Sequence, residues 1–326
     1  MEYIQFKEKL AQAMKCKMEQ QYGKCEVTFR KMPRVNGCPE TLSVSLQKNK
    51  IGPEAPLEDI YESYTQNGWD FQECVEEVFA AYDKFFHDPS EVMYEKENLD
   101  ISLKPEVARH KIIYLTVSYE KNKELLEMVP YRMYLDLAVI YRLVISVDND
   151  VMQSVIITNE HLKKMGMTEE ELYAAAKVNT PRFLPNVVCC MPDSTEEVKQ
   201  LVQEELDVQI EQAVKRLESS PVFSFITVTA FPMINCSYHL IDLAAVDRVA
   251  EKLQRDLYIL PSSITELMCI PVDRGPSLGE LAKMLRRTNR NTKIVPQDIF
   301  LSNSIYLYKR ESKELTIASA CYIVRL

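Results

Sequence analysis

Seven glycines in a chain of 326 residues set the first limit on what this sequence can build. Average usage of about 7% would give roughly 23. Phosphate cradles, dinucleotide folds and P-loops need backbone without a Cβ, and neither G-x-G-x-x-G nor G-x-x-x-x-G-K-S/T occurs in the chain. The glycines present serve chain geometry. Gly23, Gly68 and Gly166 follow helical stretches, Gly37 completes a turn, Gly52 lies in a Pro-flanked loop, and Gly275 and Gly279 bracket a helix start. None is left over for a phosphate site, so any active site has to be built from side chains.

Acidic residues outnumber basic ones, 48 to 39, for a net charge of −9. That balance repels a phosphate backbone, which makes nucleic acid a poor partner. Nine cysteines, odd in number and never in a C-x-x-C pair, suggest neither a disulfide framework nor a zinc ribbon. Reduced thiols are expected. Met1-Glu2-Tyr3-Ile4-Gln5-Phe6-Lys7-Glu8 carries charge where a signal peptide needs an apolar core, so a cytoplasmic location is expected. Ser219 to Ile241 contains no Asp, Glu, Lys or Arg and is long enough to cross a bilayer. Pro221, Pro232, Asn235 and His239 interrupt it, and its β-branched and aromatic run reads as a buried strand, so no membrane association is expected.

Apolar spacing predicts an opening helix from Tyr3 to Met18, then a hairpin from Glu26–Lys31 and Thr41–Gln47 around Asn36-Gly37. Two helices follow, one marked by Leu57, Ile60, Tyr61 and Tyr64, the other started by the capping box Asp70-x-x-Glu73. The polar stretch 88–98 is the expected boundary, with residues 1–95 as an N-terminal α+β unit and 96–326 as a second domain. Ile112 to Tyr119 is ambiguous between helix and strand, and a polar helix start follows at Glu120. Leu135–Ser146 and Val151–Thr158 read as an antiparallel hairpin across Val147-Asp148-Asn149-Asp150. Two short helices divided by Gly166 come next, then one longer helix from Ser194-x-x-Glu197 to Leu217. A strand over 222–231, a helix from Asp242 to Gln254, strands at Leu257–Leu260 and Leu267–Val272, a helix from Ser277 and a hairpin from Ile305 to Ile317 complete the chain. Hairpins mixed with helices indicate an α+β fold with mixed, mostly antiparallel sheets and packed amphipathic helices, not a doubly wound parallel sheet.

The chemistry-bearing residues are dispersed. The four histidines, His87, His110, His161 and His239, show no metal-ligand spacing, and no metal or cofactor is expected. Asp148-Asn149-Asp150 lacks the Gly and Glu of a calcium loop and reads as a hairpin turn. Pro192-Asp193 with Glu197-Val198-Lys199 matches a nuclease set only superficially, because Ser194 and Glu197 make a helix start. Cys189 and Cys190 could supply a thiolate with His239 as base, against the commoner fate of buried cysteine. Lys283, Arg286, Arg287, Arg290 and Lys293 place five positive charges in eleven positions with no acid among them. They complement a helix dipole or receive an acidic partner. Ser262, Ser263 and Glu266 stand at a corner between two apolar strands, where hydroxyls bond their own backbone.

The phrases Tyr119 to Leu126, Val129-Pro130-Tyr131-Arg132, Leu135-Asp136-Leu137-Ala138-Val139, Asn159-Glu160-His161-Leu162, Asn179-Thr180-Pro181, Leu257 to Ser263 and Asp298 to Tyr306 resemble an uncharacterised bacterial family, a domain of unknown function found mainly in anaerobic gut bacteria. The match is ordered and runs from about the first hairpin to Ile317. The resemblance implies a cytoplasmic bacterial protein with one architecture through most of its length and no established activity, cofactor or partner. Two stretches depart from it. Asn235 to Asp242 stands where Asn, Gly-Ala and a Tyr-Pro turn are expected, and Thr265 replaces a histidine in Ser262-Ser263-Ile264-Thr265-Glu266.

Function is thus expected to be that of a non-catalytic binding or interaction protein with an unknown protein or small-molecule partner, its candidate binding residues being Arg286, Arg287, Arg290, Lys293, Ser262, Ser263 and Glu266. One alternative is a hydrolase or transferase with a Cys or Ser nucleophile built from dispersed side chains. The other is an acidic regulator docking through 283–293.

Overall fold

The structure, a computed structural model, describes residues 1–46, 54–87, 102–148, 151–190, 195–221, 223–231 and 235–319. The chain is α+β and divides into two compact units, Met1–Asp100 and Ile101–Leu326. The polar boundary expected at 88–98 lies outside the described residues.

In the first unit, helix α1 (Tyr3–Tyr22) buries Phe6, Leu10, Met14 and Met18, one residue per turn on one stripe. Gly23 ends it with φ +80°, a conformation that costs an L side chain about 1–2 kcal/mol. Strands β1 (Cys25–Lys31) and β2 (Glu40–Leu46) form the expected hairpin, with Asn36 taking the positive φ of the turn. A short β3 (Glu54–Pro56), unmarked by any alternation, pairs with β2. Helices α2 (Leu57–Thr65) and α3 (Phe71–His87) complete the core with Leu57, Cys74, Val75, Val78 and Tyr82. The capping box of α3 is in place: Glu73 N–H donates to Asp70 Oδ1 at 2.9 Å and Asp70 N–H to Glu73 Oε2 at 2.7 Å.

The second unit holds two sheets, and every described strand pair in them is antiparallel. After α4 (Pro105–Ala108), the ambiguous run is a strand, β4 (Ile112–Ser118), buried along its whole length. The helix start at Glu120 yields only the single turn α5 (Lys123–Leu126). Strands β5 (Tyr131–Tyr134), β6 (Leu137–Asp148) and β7 (Val151–Ile156) join β4 in one sheet, with β5 and β7 sharing one edge of β6. The expected strand from Leu135 is therefore corrected: Leu135 and Asp136 are the loop of a β5–β6 hairpin. Leu135 has φ +55°, at a loop position usually given to glycine.

Helix α6 (Asn159–Met165) ends at Gly166, but α7 (Glu169–Phe183) has 15 residues and is not short. The long helix expected from Ser194 is two helices, α8 (Thr195–Leu201) and α9 (Leu206–Ser219). One side chain holds the break and also reaches a distant strand: Gln209 donates to the carbonyls of Leu201 and Glu204 at 2.8 and 2.9 Å, and accepts from Val188 N–H at 2.8 Å. Strands β8 (Asn186–Cys190), β9 (Ile226–Ala230), β10 (Leu257–Leu260), β11 (Leu267–Pro271), β12 (Ile305–Lys309) and β13 (Glu314–Ser319) form a six-stranded sheet in the order β13-β12-β10-β11-β9-β8. Helices α9 and α10 (Ala244–Leu253) bury Ile210, Ala213, Val246 and Val249 with Val188, Ile226, Val228 and Leu257 in its main core. A smaller core gathers Leu260, Ile270 and Ile305 with Leu281, Ala282 and Leu285 of α11 (Leu278–Arg290). A 3-10 turn, Cys236–Leu240, ties the sheets together, since Thr116 Oγ1 donates to Ser237 O at 3.0 Å and Ser237 Oγ to Thr116 O at 3.1 Å. Among the described residues no helix is long and apolar enough to cross a membrane.

Candidate functional site

Helix α11 begins at a full capping box, Ser277 Oγ accepting from Glu280 N–H and Glu280 accepting from Ser277 N–H at 2.8 Å. Its apolar stripe faces the smaller core, which leaves Lys283, Arg287 and Arg290 exposed and Arg286 half-buried; Lys293, beyond the helix, is also exposed. Among the described residues of the second unit, every other arginine spends its guanidinium. Arg109, Arg132, Arg216, Arg248, Arg255 and Arg310 pair with carboxylates. Arg142, Arg182 and Arg274 donate to a serine or to backbone carbonyls. Arg286, Arg287 and Arg290 donate to nothing among the described residues, although this chain carries an excess of acid.

The corner holding Ser262, Ser263 and Glu266 lies between β10 and β11. Ser262 is buried, and its carbonyl accepts from Leu301 N–H at 3.1 Å. Ser263 Oγ accepts from Thr265 N–H at 3.2 Å and lies 2.8 Å from Thr265 Oγ1, the side-chain turn that small hydroxyls favour. Both serines shape the chain. Glu266 differs, because its half-buried carboxyl makes no hydrogen bond or ion pair among the described residues, and desolvation alone pushes its pKa up. The structure links this corner to α11 through one segment: Leu301 and Ser302 donate their N–H groups to Ser262 and Pro261, and Asn289 of α11 donates to Ser302 O at 2.9 Å.

Cys189 and Cys190 fall on opposite faces of β8. Cys190 packs in the main core, while Cys189 stands opposite Thr227 on the other face. Burial pushes the Cys189 thiol up to about 12 and raises Cys190 as well, so neither supplies a thiolate near neutral pH. His239 is fully buried, its Nε2–H donating to Thr229 O at 2.9 Å, and burial holds it neutral with a pKa of about 4. No described hydrogen bond joins a thiol to His239. Glu197, part of the nuclease-like set, is held by Arg216 at 3.2 Å, and residues 191–194 lie outside the described residues. Among the described residues no group of three or more His, Cys, Asp or Glu is placed to hold a metal. A surface concavity of about 540 Å³ carries Arg255, Asp256, Asp273, Lys309 and Arg310, but Arg255–Asp273 and Lys309–Asp256 pair across it at 3.3 and 2.8 Å.

Sequence reasoning passed over Asp136. Its carboxylate accepts three hydroxyls: Ser302 Oγ at 2.7 Å and Ser304 Oγ at 2.8 Å on Oδ2, and Tyr306 OH at 2.6 Å on Oδ1. Burial and the carboxylate together hold the Tyr306 hydroxyl protonated. The available signal was the resemblance itself, since Leu135–Val139 and Asp298–Tyr306 are two of its phrases and they meet here. A second passed-over group surrounds Arg132, whose Nε donates to Glu169 Oε1 at 2.8 Å while its guanidinium lies 3.8 Å from the centroid of Tyr173. Burial alone would raise Glu169, but hydrogen bonds from Arg132 and Tyr141 outweigh it and hold the carboxyl below its usual range.

Fold and site together describe a two-unit α+β protein with a cationic helix face that meets no acid among the described residues. The chain belongs to a family of unknown function, DUF5688, whose family model spans residues 3–310. No curated protein matches it, and no solved structure does.

Proposed function

We propose that the protein is a binding protein without chemistry of its own that docks a partner through α11 and its exit, residues 283–293. The observation that carries this reading is the set of three arginines, Arg286, Arg287 and Arg290, that donate to nothing among the described residues. A side chain with five fixed donors gains from each charge-assisted bond it makes, and a face that leaves three such forks free is suited to receiving acceptors from outside. The eight described cysteines are all free thiols, which supports a reducing, cytoplasmic setting. The compact units support two separately folding domains, close to the boundary expected from the polar stretch.

In-cell photo-crosslinking tests the docking role. A photoreactive residue at Met284, which is 46% exposed, is expected to capture a discrete partner that Arg286→Glu with Arg287→Glu abolishes. The same residue at Val178, exposed on α7, is the control and captures nothing comparable. Crosslinks that survive the charge reversal defeat the proposal.

A second reading, catalysis by dispersed side chains, is favoured by Glu266, a half-buried carboxyl with no partner among the described residues, on the same sheet face as Cys189. Thiol- and serine-directed activity probes that label nothing in the folded chain count against it.

A further inference from the structure

Resting on the docking role of α11, we infer that its partner is an acidic amphipathic protein segment. Such a segment offers carboxylates spaced one helical turn apart to the arginines and an apolar side chain to Met284 and Ile294.

The cations form a pattern rather than a cloud. Lys283, Arg287 and Arg290 fall at i, i+4 and i+7, one stripe along about 10 Å of helix, with Arg286 on one flank and Met284 on the other. Attraction to the negative end of the helix dipole is confined to the last turn, which holds Arg287 and Arg290. Lys283 and Arg286 precede that turn and Lys293 follows the helix, so the dipole leaves them unexplained. Three of the five cations are arginines, whose planar forks match a carboxylate or a phosphate in two parallel bonds.

What separates those two acceptors is the apolar surface beside them. Met284, which flanks the stripe, is 46% exposed, and Ile294, four residues past the end of the helix, is 61% exposed. A phosphate backbone has no apolar surface to lay on them, whereas an amphipathic protein segment brings carboxylates and apolar side chains together and covers both. The net charge of −9 points the same way: a long polyanion leaving the patch meets repulsion from the rest of the surface, while a short acidic segment ends with the patch.

Fluorescence anisotropy on the full chain tests this with three labelled probes. They are a short helical peptide with Glu at i, i+4 and i+7 and Leu on the adjoining face, the same residues shuffled, and a single-stranded RNA of similar length. The amphipathic peptide is expected to bind most tightly and to weaken as salt rises from ~50 to ~300 mM. Arg286→Glu with Arg287→Glu is expected to cost about tenfold or more in affinity. Met284→Ser with Ile294→Ser is expected to cost about threefold. Since Met284, Arg287 and Ile294 are exposed and Arg286 is half-buried, circular dichroism should confirm unchanged folding in each variant. Tighter binding of the RNA, equal binding of the shuffled peptide, or indifference to the Met284 and Ile294 changes overturns the amphipathic partner while leaving the Met284 crosslinks, and so the docking role, intact. Crosslinks that survive the charge reversal defeat the docking role itself and this inference with it.

Discussion

Replacing Asp136 tests how the second unit is held together. Asp136 sits in the two-residue loop between β5 and β6, beside Leu135 at φ +55°, a conformation costing a bulky L residue about 1–2 kcal/mol. That cost is met by the bonds its neighbour makes. Ser302, Ser304 and Tyr306 are 5%, 4% and 0% exposed, so their hydroxyls have no ready access to water if the carboxylate is removed. A hydrogen bond to a charged acceptor contributes about 1.5–3 kcal/mol. Asp136 itself is only half-buried, and water entering its place recovers part of the loss. Asp136→Ala is therefore expected to destabilise the unit by about 3–5 kcal/mol. Asp136→Asn keeps one carbonyl oxygen, which can serve the two serines and forfeit only the Tyr306 bond, for a loss of about 1–2 kcal/mol. In a unit of this size each kcal/mol moves the midpoint by roughly 2–4 °C. Thermal unfolding of the full chain by far-UV circular dichroism reads that shift. The only tryptophan, Trp69, lies in the first unit and supplies an internal control by fluorescence. A loss below about 1 kcal/mol for Asp136→Ala, or equal losses for the two substitutions, refutes the reasoning that acceptor count holds this junction.

Two further outcomes follow from burial. Burial raises the pKa of Glu266 above its unfolded value, so the folded state holds its proton more tightly and stability from this group falls as pH rises out of the ordinary carboxylate range. Glu266→Gln should match the natural chain at acid pH and exceed its stability at pH 8; a variant that is less stable at pH 8 contradicts the assignment. Ellman's reagent should react quickly with exposed Cys16 and, more slowly, with half-exposed Cys38. Cys189, Cys190, Cys236 and Cys269 should wait for denaturation, and fast labelling of Cys189 would reopen a nucleophilic role.

Much of the fold was legible where one segment's own residues decide its conformation. The four-residue spacing of Phe6, Leu10, Met14 and Met18 names a helix and its buried face together. Asp70 with Glu73 marks a helix start, because the cap is made within one turn. The cationic face of α11 was legible for the same reason. What escaped was decided by contacts between distant segments. β3 is too short to show alternation, and β5 is a strand only because β6 lies beside it. The break between α8 and α9 is held by Gln209, whose amide also accepts from Val188 N–H, 21 residues back on β8.

Sequence alone therefore determined the α+β class, most helices and hairpins, the absence of glycine-built phosphate loops and the local excess of positive charge at 283–293, since each is a property of neighbouring residues. Only the tertiary structure decided that Cys189 and Cys190 face apart with His239 held by a backbone carbonyl, and that Asp136 meets hydroxyls 166 to 170 residues away. It also decided that three arginines of α11 meet no acceptor among the described residues. The physical reason is the same in each case: hydrogen-bond partners and burial are set by which strands pair and which faces are covered, and local sequence carries no record of either.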